Sequence, residues 1–192
     1  MCIRDSPVPN LPEALRREPK IAERARLIVM GGSVYRQYNN KPGRCAEYNV
    51  RQNIPAARIA YTASWPVTMA PLDTAGTVVL QGQHYARVRD ADNPLAKALM
   101  ENYRTWAAEN EHFDPNQKSS ILYDAVPVYL AFDTALCTMQ DIRLQVTNEG
   151  LTEPNEKGKK TQVATNWKNL EKFKEILTNR IANYRPTKHP GS

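Results

Sequence analysis

The chain has 192 residues, of which 41% are hydrophobic and 24% charged, proportions that are ordinary for a globular protein. No apolar run approaches the roughly 20 residues that a membrane-spanning helix needs, so we expect no membrane segment. The net charge of +6 comes from Lys and Arg residues spread along predicted helices, and we therefore expect no nucleic-acid binding. The three cysteines, Cys2, Cys45 and Cys137, show no CxxC spacing, which argues against a disulfide framework.

Residues 1–6, MCIRDS, fit neither a signal peptide nor the helix that follows them. They contain no long apolar core and no small-residue cleavage site, and we interpret them as a non-native leader. The sequence therefore leaves the compartment unknown; it is cytoplasmic if no signal precedes the chain. Residues 186–192 are predicted to form a tail.

Hydrophobic spacing and Pro or Gly breaks divide the remaining chain into helices and strands. The first half predicts a helix bent at Pro19, a buried strand, a short helix, a second strand and an extended segment, over residues 12–25, 27–30, 54–61, 66–70 and 77–80. Residues 71–74 are predicted to be a loop, with Asp73 as a cap or turn residue. The second half predicts two helices, an apolar helix, a half-buried strand, a further segment and a last helix, over residues 84–90, 93–109, 121–132, 141–147, 161–164 and 169–182.

The stretch from Leu27 to Asn49 contains the clearest candidate site. Its apolar run ends at Gly31-Gly32, as a buried strand does when it leaves a sheet. In an open α/β sheet, ligands collect in loops that leave the carboxyl ends of strands. Glu47 and Asn49 are two residues apart, so in an extended segment both side chains point to one side and can bind a vicinal diol. The alternative is an ordinary polar loop.

Asp124 is the second candidate, because it stands at the start of an apolar helical run. From the residues alone, a helix N-cap is the favoured interpretation, since aspartate is common there and Pro127 fits the first turn.

Three segments resemble the nucleoside hydrolases, the inosine-uridine preferring N-ribohydrolase family: MGGSVYR at 30–36, AEYN at 46–49 and LYDAVPVYLAF at 122–132. The resemblance runs from about Pro7 to about Ile181 and covers only the later part of the family's usual length. It implies a Rossmann-like α/β fold, an open and mostly parallel sheet flanked by helices, incomplete at the amino terminus. Residues 7–185 are then the carboxyl-terminal portion of a single domain.

The resemblance also implies a ribose-binding set. Glu47 and Asn49 match the pair that contacts the sugar hydroxyls in the family. Asn39 or Asn40 matches a further ribose-contacting asparagine, and the longer loop of this chain leaves both alternatives open.

A calcium site is implied by the same resemblance. Asp124 matches an aspartate that ligates Ca²⁺, and a carboxylate at the mouth of a helix suits a hard cation. Pro9 stands where the family places a threonine whose backbone carbonyl helps to hold the metal. Tyr123 stands where well-known members have a histidine that protonates the leaving base. An unperturbed tyrosine has a pKa near 10, so Tyr123 can donate a hydrogen bond but is a poorer acid near neutral pH.

The implied reaction is hydrolysis of the N-glycosidic bond of a ribonucleoside. In the family, Ca²⁺ polarises a water molecule and holds the ribose hydroxyls, and an aspartate takes the proton. The DxDxxxDD cluster that supplies this aspartate and most metal ligands has no counterpart here, because the acidic residues before Glu47 are not clustered. We therefore expect the chain to be the carboxyl-terminal part of a nucleoside hydrolase-like enzyme, inactive alone and homo-oligomeric in the full-length form.

The main alternative is a non-catalytic protein that keeps the later half of the fold. It would bind a nucleoside or ribose weakly, or associate with a partner through an exposed apolar sheet edge. An upstream reading frame that encodes an Asp-rich strand end favours the enzyme, whereas a stop and a start codon favour the alternative. A nucleic-acid binder would show strongly salt-dependent binding to any duplex.

Overall fold

The computed structural model of the chain describes residues 8–110 and 113–186, so the predicted leader and most of the predicted tail lie outside the described residues. The described residues divide into two compact units. The first comprises the residues up to Val78 together with Ile121–Lys168, and the second comprises Val79–Ser120 and the residues from Asn169 onward. No helix in this described part is long and apolar enough to cross a membrane.

The first unit contains a five-stranded sheet, whose strands are β1 Leu27–Met30, β2 Val67–Ala70, β3 Cys137–Val146, β4 Thr152–Pro154 and β5 Lys159–Trp167. Their order across the sheet is β1-β2-β5-β3-β4. β1, β2 and β5 run parallel, β3 is antiparallel to β5, and β4 is antiparallel to β3. The predicted α/β class with an open, mostly parallel sheet is confirmed.

The helices surround this sheet in the first unit and form the second unit. In chain order they are α1 Asn10–Arg17, α2 Ile21–Arg24, α3 Tyr48–Gln52, α4 Ile54–Thr62, α5 Leu72–Ala75, α6 Gly82–Arg89, α7 Pro94–Ala108, α8 Ala125–Leu130 and α9 Leu170–Ala182. The gap between α1 and α2 contains Pro19, where the sequence predicts a bend. In the second unit, α6 packs against α7 and α9.

Asparagine side chains begin three of these helices. Asn53, Asn93 and Asn169 precede α4, α7 and α9, and each accepts a hydrogen bond of 2.9–3.0 Å from the backbone amide three residues further on. Amides of a first helical turn have no partner within the helix, so such a cap stabilises it. In the sequence, Asn93 followed by Pro94 predicts a cap and a first helical position, and this prediction is confirmed.

One local prediction was wrong. The predicted loop over 71–74 is instead part of the short helix α5, in which Ala75 donates a backbone hydrogen bond to Pro71. Pro71 fixes the backbone at the start of α5, and Gly76 ends it. The segment over 77–80, predicted to be extended, lies outside the sheet: the Val78 carbonyl accepts a hydrogen bond from the amide of Leu122, which lies in a loop.

The loop after β1 is fixed by Thr152 at the start of β4. The Thr152 hydroxyl accepts a hydrogen bond of 2.9 Å from the Ser33 amide and donates one of 3.1 Å to the Ser33 carbonyl. Gly32 has a positive φ of 79°, and a Cβ at this position would lie 2.6 Å from the Thr152 hydroxyl oxygen. Only glycine therefore satisfies both the backbone conformation and the close approach.

Asp73 in α5 holds the next two residues of the same loop. Its carboxylate accepts hydrogen bonds of 3.0 Å from the Val34 amide and 2.7 Å from the Tyr35 amide. The side chain is almost completely buried, and burial raises the pKa of Asp73, while these amides act in the opposite direction. The loop that follows β1 is thus tied to the segment that follows β2.

We predict that Asp73→Asn lowers the free energy of unfolding by about 1–3 kcal/mol, because an amide group donates where two backbone amides need acceptors. The raised pKa makes the folded wild-type chain bind the Asp73 proton more tightly than the unfolded chain does. The stability due to this proton is fully present below the ordinary pKa, about 3.9, and is lost as the pH rises through the higher native pKa. Urea unfolding near pH 4 and pH 7 should show the gap between wild type and variant narrowing with rising pH.

The control for this prediction is Asp141→Asn, since Asp141 makes an exposed ion pair with Lys160. Exposed pairs contribute little, so this variant should unfold nearly as wild type does. A gap between wild type and Asp73→Asn that widens with rising pH would contradict the assignment.

Candidate functional site

Candidate side chains gather where β1 reaches the carboxyl edge of the sheet. Met30 of β1 pairs with Ala70 of β2, so the loops that follow the two parallel strands begin at the same edge. This is the edge at which ligands bind in open α/β sheets.

Glu47 is a buried N-cap rather than part of an extended segment. It precedes α3, and its carboxylate accepts hydrogen bonds from the amides of Asn49 at Oε1, 2.9 Å, and of Gly32 and Val50 at Oε2, 3.0 and 3.3 Å. The side chain is only 2% exposed. Burial raises the pKa of Glu47, and the charge of Asp124 adds to this, while the three amides oppose it.

Asn49 lies in the first turn of α3, so the extended geometry assumed for Glu47 and Asn49 was wrong. Its Nδ2 donates to the Met30 carbonyl and contacts the Met30 sulfur, both at 3.3 Å. The helix nevertheless brings both predicted side chains to one pocket, because Glu47 turns inward as a cap and Asn49 reaches back to the end of β1. The Asn49 side-chain oxygen remains available as an acceptor.

Asp124 and Tyr123 approach the same pocket from the start of α8. Asp124 occupies the N-cap position but makes no capping hydrogen bond with its side chain, and it is exposed. The N-cap interpretation therefore describes its place in the chain but not the role of its carboxylate. Tyr123 is half-buried, and burial followed by the charge of Glu47 raises the pKa of its phenol. Tyr123 is thus a hydrogen-bond donor at neutral pH.

The pocket has a volume of about 400 Å³, within the range of small-molecule sites. Beyond the four predicted side chains, it is lined by Met30 of β1 and by Tyr38, Tyr48 and Arg51, three residues that were not predicted from the sequence. The Tyr38 hydroxyl accepts a hydrogen bond of 2.8 Å from the Tyr48 amide. A prediction of α3 from the sequence would have placed Tyr48 and Arg51 on one helix face, because they are three residues apart.

Three predicted residues do not line this pocket. Asn39 and Asn40 form an exposed turn after Tyr38, with positive φ values of 58° and 57° that asparagine tolerates better than most residues. Pro9 is exposed at the start of α1. Its neighbour Val8 lines an adjoining groove that also contains Asp124.

The predicted Ca²⁺ has too few ligands among the residues described here. Calcium takes six to eight oxygen ligands, whereas the described residues contain no group of three or more His, Cys, Asp or Glu side chains placed to hold a metal. Asp124 offers one carboxylate, and the oxygens of Glu47 are already engaged by backbone amides. The described residues alone do not fit a complete calcium site.

Comparison with solved structures places this fold among the nucleoside hydrolases. A purine-preferring ribonucleoside hydrolase from Gardnerella vaginalis matches with a TM-score of 0.73 and 26% identity, over 93% of this chain and 58% of its own. A plant nucleoside hydrolase matches with a TM-score of 0.72 over 93% of this chain and 60% of its own, and at 21% identity this likeness concerns the fold alone.

Sequence comparison identifies the family. The inosine-uridine preferring nucleoside hydrolase of Leishmania major is 29% identical over 167 residues, 81% of this chain and 51% of that protein. The corresponding protein of Crithidia fasciculata is 25% identical over 73% of this chain and 44% of its own length. This chain thus spans about half the length of the curated relatives it matches. The model of the family described as "Inosine-uridine preferring nucleoside hydrolase" matches residues 5–176. The chain therefore belongs to this family of N-glycosyl hydrolases.

Proposed function

We propose that this chain forms the sugar-binding part of a ribonucleoside hydrolase, which cleaves the N-glycosidic bond to release ribose and a free base. One observation carries the proposal: Glu47, Asn49, Tyr123 and Asp124 line a single pocket at the carboxyl edge of β1. The names of the relatives, which refer to inosine, uridine and purine ribonucleosides, support a ribonucleoside as the substrate.

The sugar binds against Glu47 and Asn49. Oε1 of Glu47 accepts only one amide hydrogen bond, so it has capacity for a sugar hydroxyl. The Asn49 amide nitrogen is held by the Met30 carbonyl, which limits rotation of the amide group in the pocket that Asn49 lines. Two acceptors on residues that are two positions apart suit the neighbouring 2′- and 3′-hydroxyls of a ribose, and a sugar held in this way is positioned for attack at its anomeric carbon.

The base lies against the aromatic side of the pocket. Tyr38, Tyr48 and Tyr123 offer rings for stacking and hydroxyls for polar contacts. Because burial and Glu47 raise the pKa of Tyr123, it stabilises the departing base with a hydrogen bond rather than by transferring its proton. Arg51 adds a cation at the rim, where a base nitrogen or oxygen can accept from it.

Calcium dependence follows only if the remaining ligands come from outside the described residues. Asp124 contributes one carboxylate, and the Pro9 carbonyl is a second candidate. A bound Ca²⁺ supplies a more acidic water and a contact for the sugar hydroxyls. We assign the other ligands and the general base to the part of the family's sequence that this chain does not cover.

The free edge of the sheet at β1 supports the proposal that a further segment completes the enzyme. Within the described residues, β1 is the terminal strand and pairs only with β2. A groove of about 530 Å³ runs along it, lined mainly by apolar residues, and Val128 of α8 is 65% exposed beside it. Alternate N–H and C=O groups of β1 face away from β2 and can pair with a further strand. We therefore propose that hydrolysis requires a further segment of the fold, and that this chain alone is inactive.

A non-catalytic binding protein is the second candidate, and the incomplete set of metal ligands favours it. Such a protein would use Glu47 and Asn49 for a nucleoside or ribose and would never cleave the bond.

We predict that Asn49→Ala weakens binding of inosine and uridine about tenfold, a loss of about 1.4 kcal/mol, because one sugar acceptor is removed. Isothermal titration with each nucleoside measures this, with free ribose as a competitor. The urea midpoint should change little, since Asn49 is only half-buried and its hydrogen bond to Met30 is long.

Asn148→Ala is the matched control, because this amide accepts from Arg58 outside the pocket. It should bind both nucleosides as wild type does. Wild-type affinity of Asn49→Ala, or equal weakening by both substitutions, would overturn the proposed sugar site.

A further inference from the structure

The side chain of Tyr61 ends in a hydroxyl for which the fold provides no partner. Tyr61 belongs to α4 and is 5% exposed, and its hydroxyl oxygen makes no hydrogen bond with any described residue. An unsatisfied buried hydroxyl destabilises the folded state, and phenylalanine would fill the same space without this penalty. Such a group in a well-packed fold needs an explanation.

The hydroxyl lies beside the carboxylate of Glu47. A Cβ added to Gly31 would be 2.6 Å from the Tyr61 hydroxyl oxygen and 3.5 Å from Oε2 of Glu47. Both groups therefore lie next to one backbone position at the end of β1, and a side chain at Gly31 would collide with the Tyr61 hydroxyl. Tyr61 is not among the residues that line the pocket.

Tyr61 is always a donor at this place. Burial and the charge of Glu47 raise its pKa far above neutrality, so the phenol keeps its proton. Glu47 provides the nearby acceptor. Its Oε2 holds the Gly32 amide at 3.0 Å and the Val50 amide at 3.3 Å. The Val50 contact is the longest of the three amide contacts, so it is the one that the Tyr61 hydroxyl can displace at Oε2.

We propose that Tyr61 is a positioning residue for Glu47, whose Oε2 accepts from the Tyr61 hydroxyl, directly or through one buried water, when Oε1 engages a sugar hydroxyl. A sugar hydroxyl joins the Asn49 amide at Oε1, and the carboxylate adjusts to it by a small turn about its terminal torsion, which is soft. The Tyr61 hydroxyl then holds Oε2 of Glu47 and thereby fixes the direction of Oε1. This inference rests on the proposed sugar site.

Tyr61→Phe tests the inference in the full chain, because it removes only the hydroxyl. The unfolding equilibrium in urea should be unchanged or shifted toward the folded state, since an unpaired buried hydroxyl is lost. The affinity for inosine, measured by isothermal titration, should fall fivefold to tenfold. A role in packing alone cannot give intact stability together with weaker binding.

A double-mutant cycle with Glu47→Gln links the effect to the carboxylate. In the Glu47→Gln background, Tyr61→Phe should cause less than a twofold further loss of affinity. Tyr85→Phe is the control, because the Tyr85 hydroxyl donates to the Pro115 carbonyl. This variant should lose stability and keep wild-type affinity.

The possible outcomes separate the two proposals. Wild-type affinity of Tyr61→Phe, or a loss that persists fully in the Glu47→Gln background, would overturn the role of Tyr61 and leave the sugar site intact. A wild-type chain that binds neither inosine nor uridine would overturn the proposed sugar site itself, and the role of Tyr61 with it.

Discussion

The site depends on how the backbone amides after β1 are satisfied. This loop leaves the sheet, so its amides lose the strand partners that they would otherwise have, and an unpaired buried amide is costly. Side chains from three distant segments replace those partners: Glu47 accepts from Gly32, Thr152 from Ser33, and Asp73 from the next two residues. The loop has one conformation because each acceptor is itself fixed in another element.

Glu47 connects this loop to the pocket. The same carboxylate caps α3, accepts a hydrogen bond from the Gly32 amide of the loop, and has its Oε1 atom beside Asn49. Burial opposes its charge, and the backbone amides favour it. A carboxylate held in this way needs little reorganisation when a sugar hydroxyl arrives, since the loop and the helix have already ordered it. With the proposed sugar site, Glu47 combines a structural role with a binding role, and we expect a change at Glu47 to affect both.

Features that depend on residues close together in the chain were predictable from the sequence. The strand over 27–30 ends at a glycine pair, and the Asn93 cap precedes a proline, so both were placed correctly. The short helix α3 was missed because its N-cap is a glutamate, whereas Ser, Thr, Asp and Asn are the usual N-cap residues. Long-range pairs were beyond prediction, since Thr152 lies 119 residues from Ser33, and no local pattern marks Tyr61 as a neighbour of Glu47.

Release of ribose from inosine and uridine, with Ca²⁺ and with a chelator, tests the central claim most directly. The pocket holds the proposed sugar-binding residues, whereas the described residues contain no group of three or more His, Cys, Asp or Glu side chains placed to hold a metal. We predict that this chain binds both nucleosides and releases no ribose under either condition. Ribose release by this chain alone that stops when the chelator is added would contradict this prediction, because the ligands would then have to lie within these 192 residues.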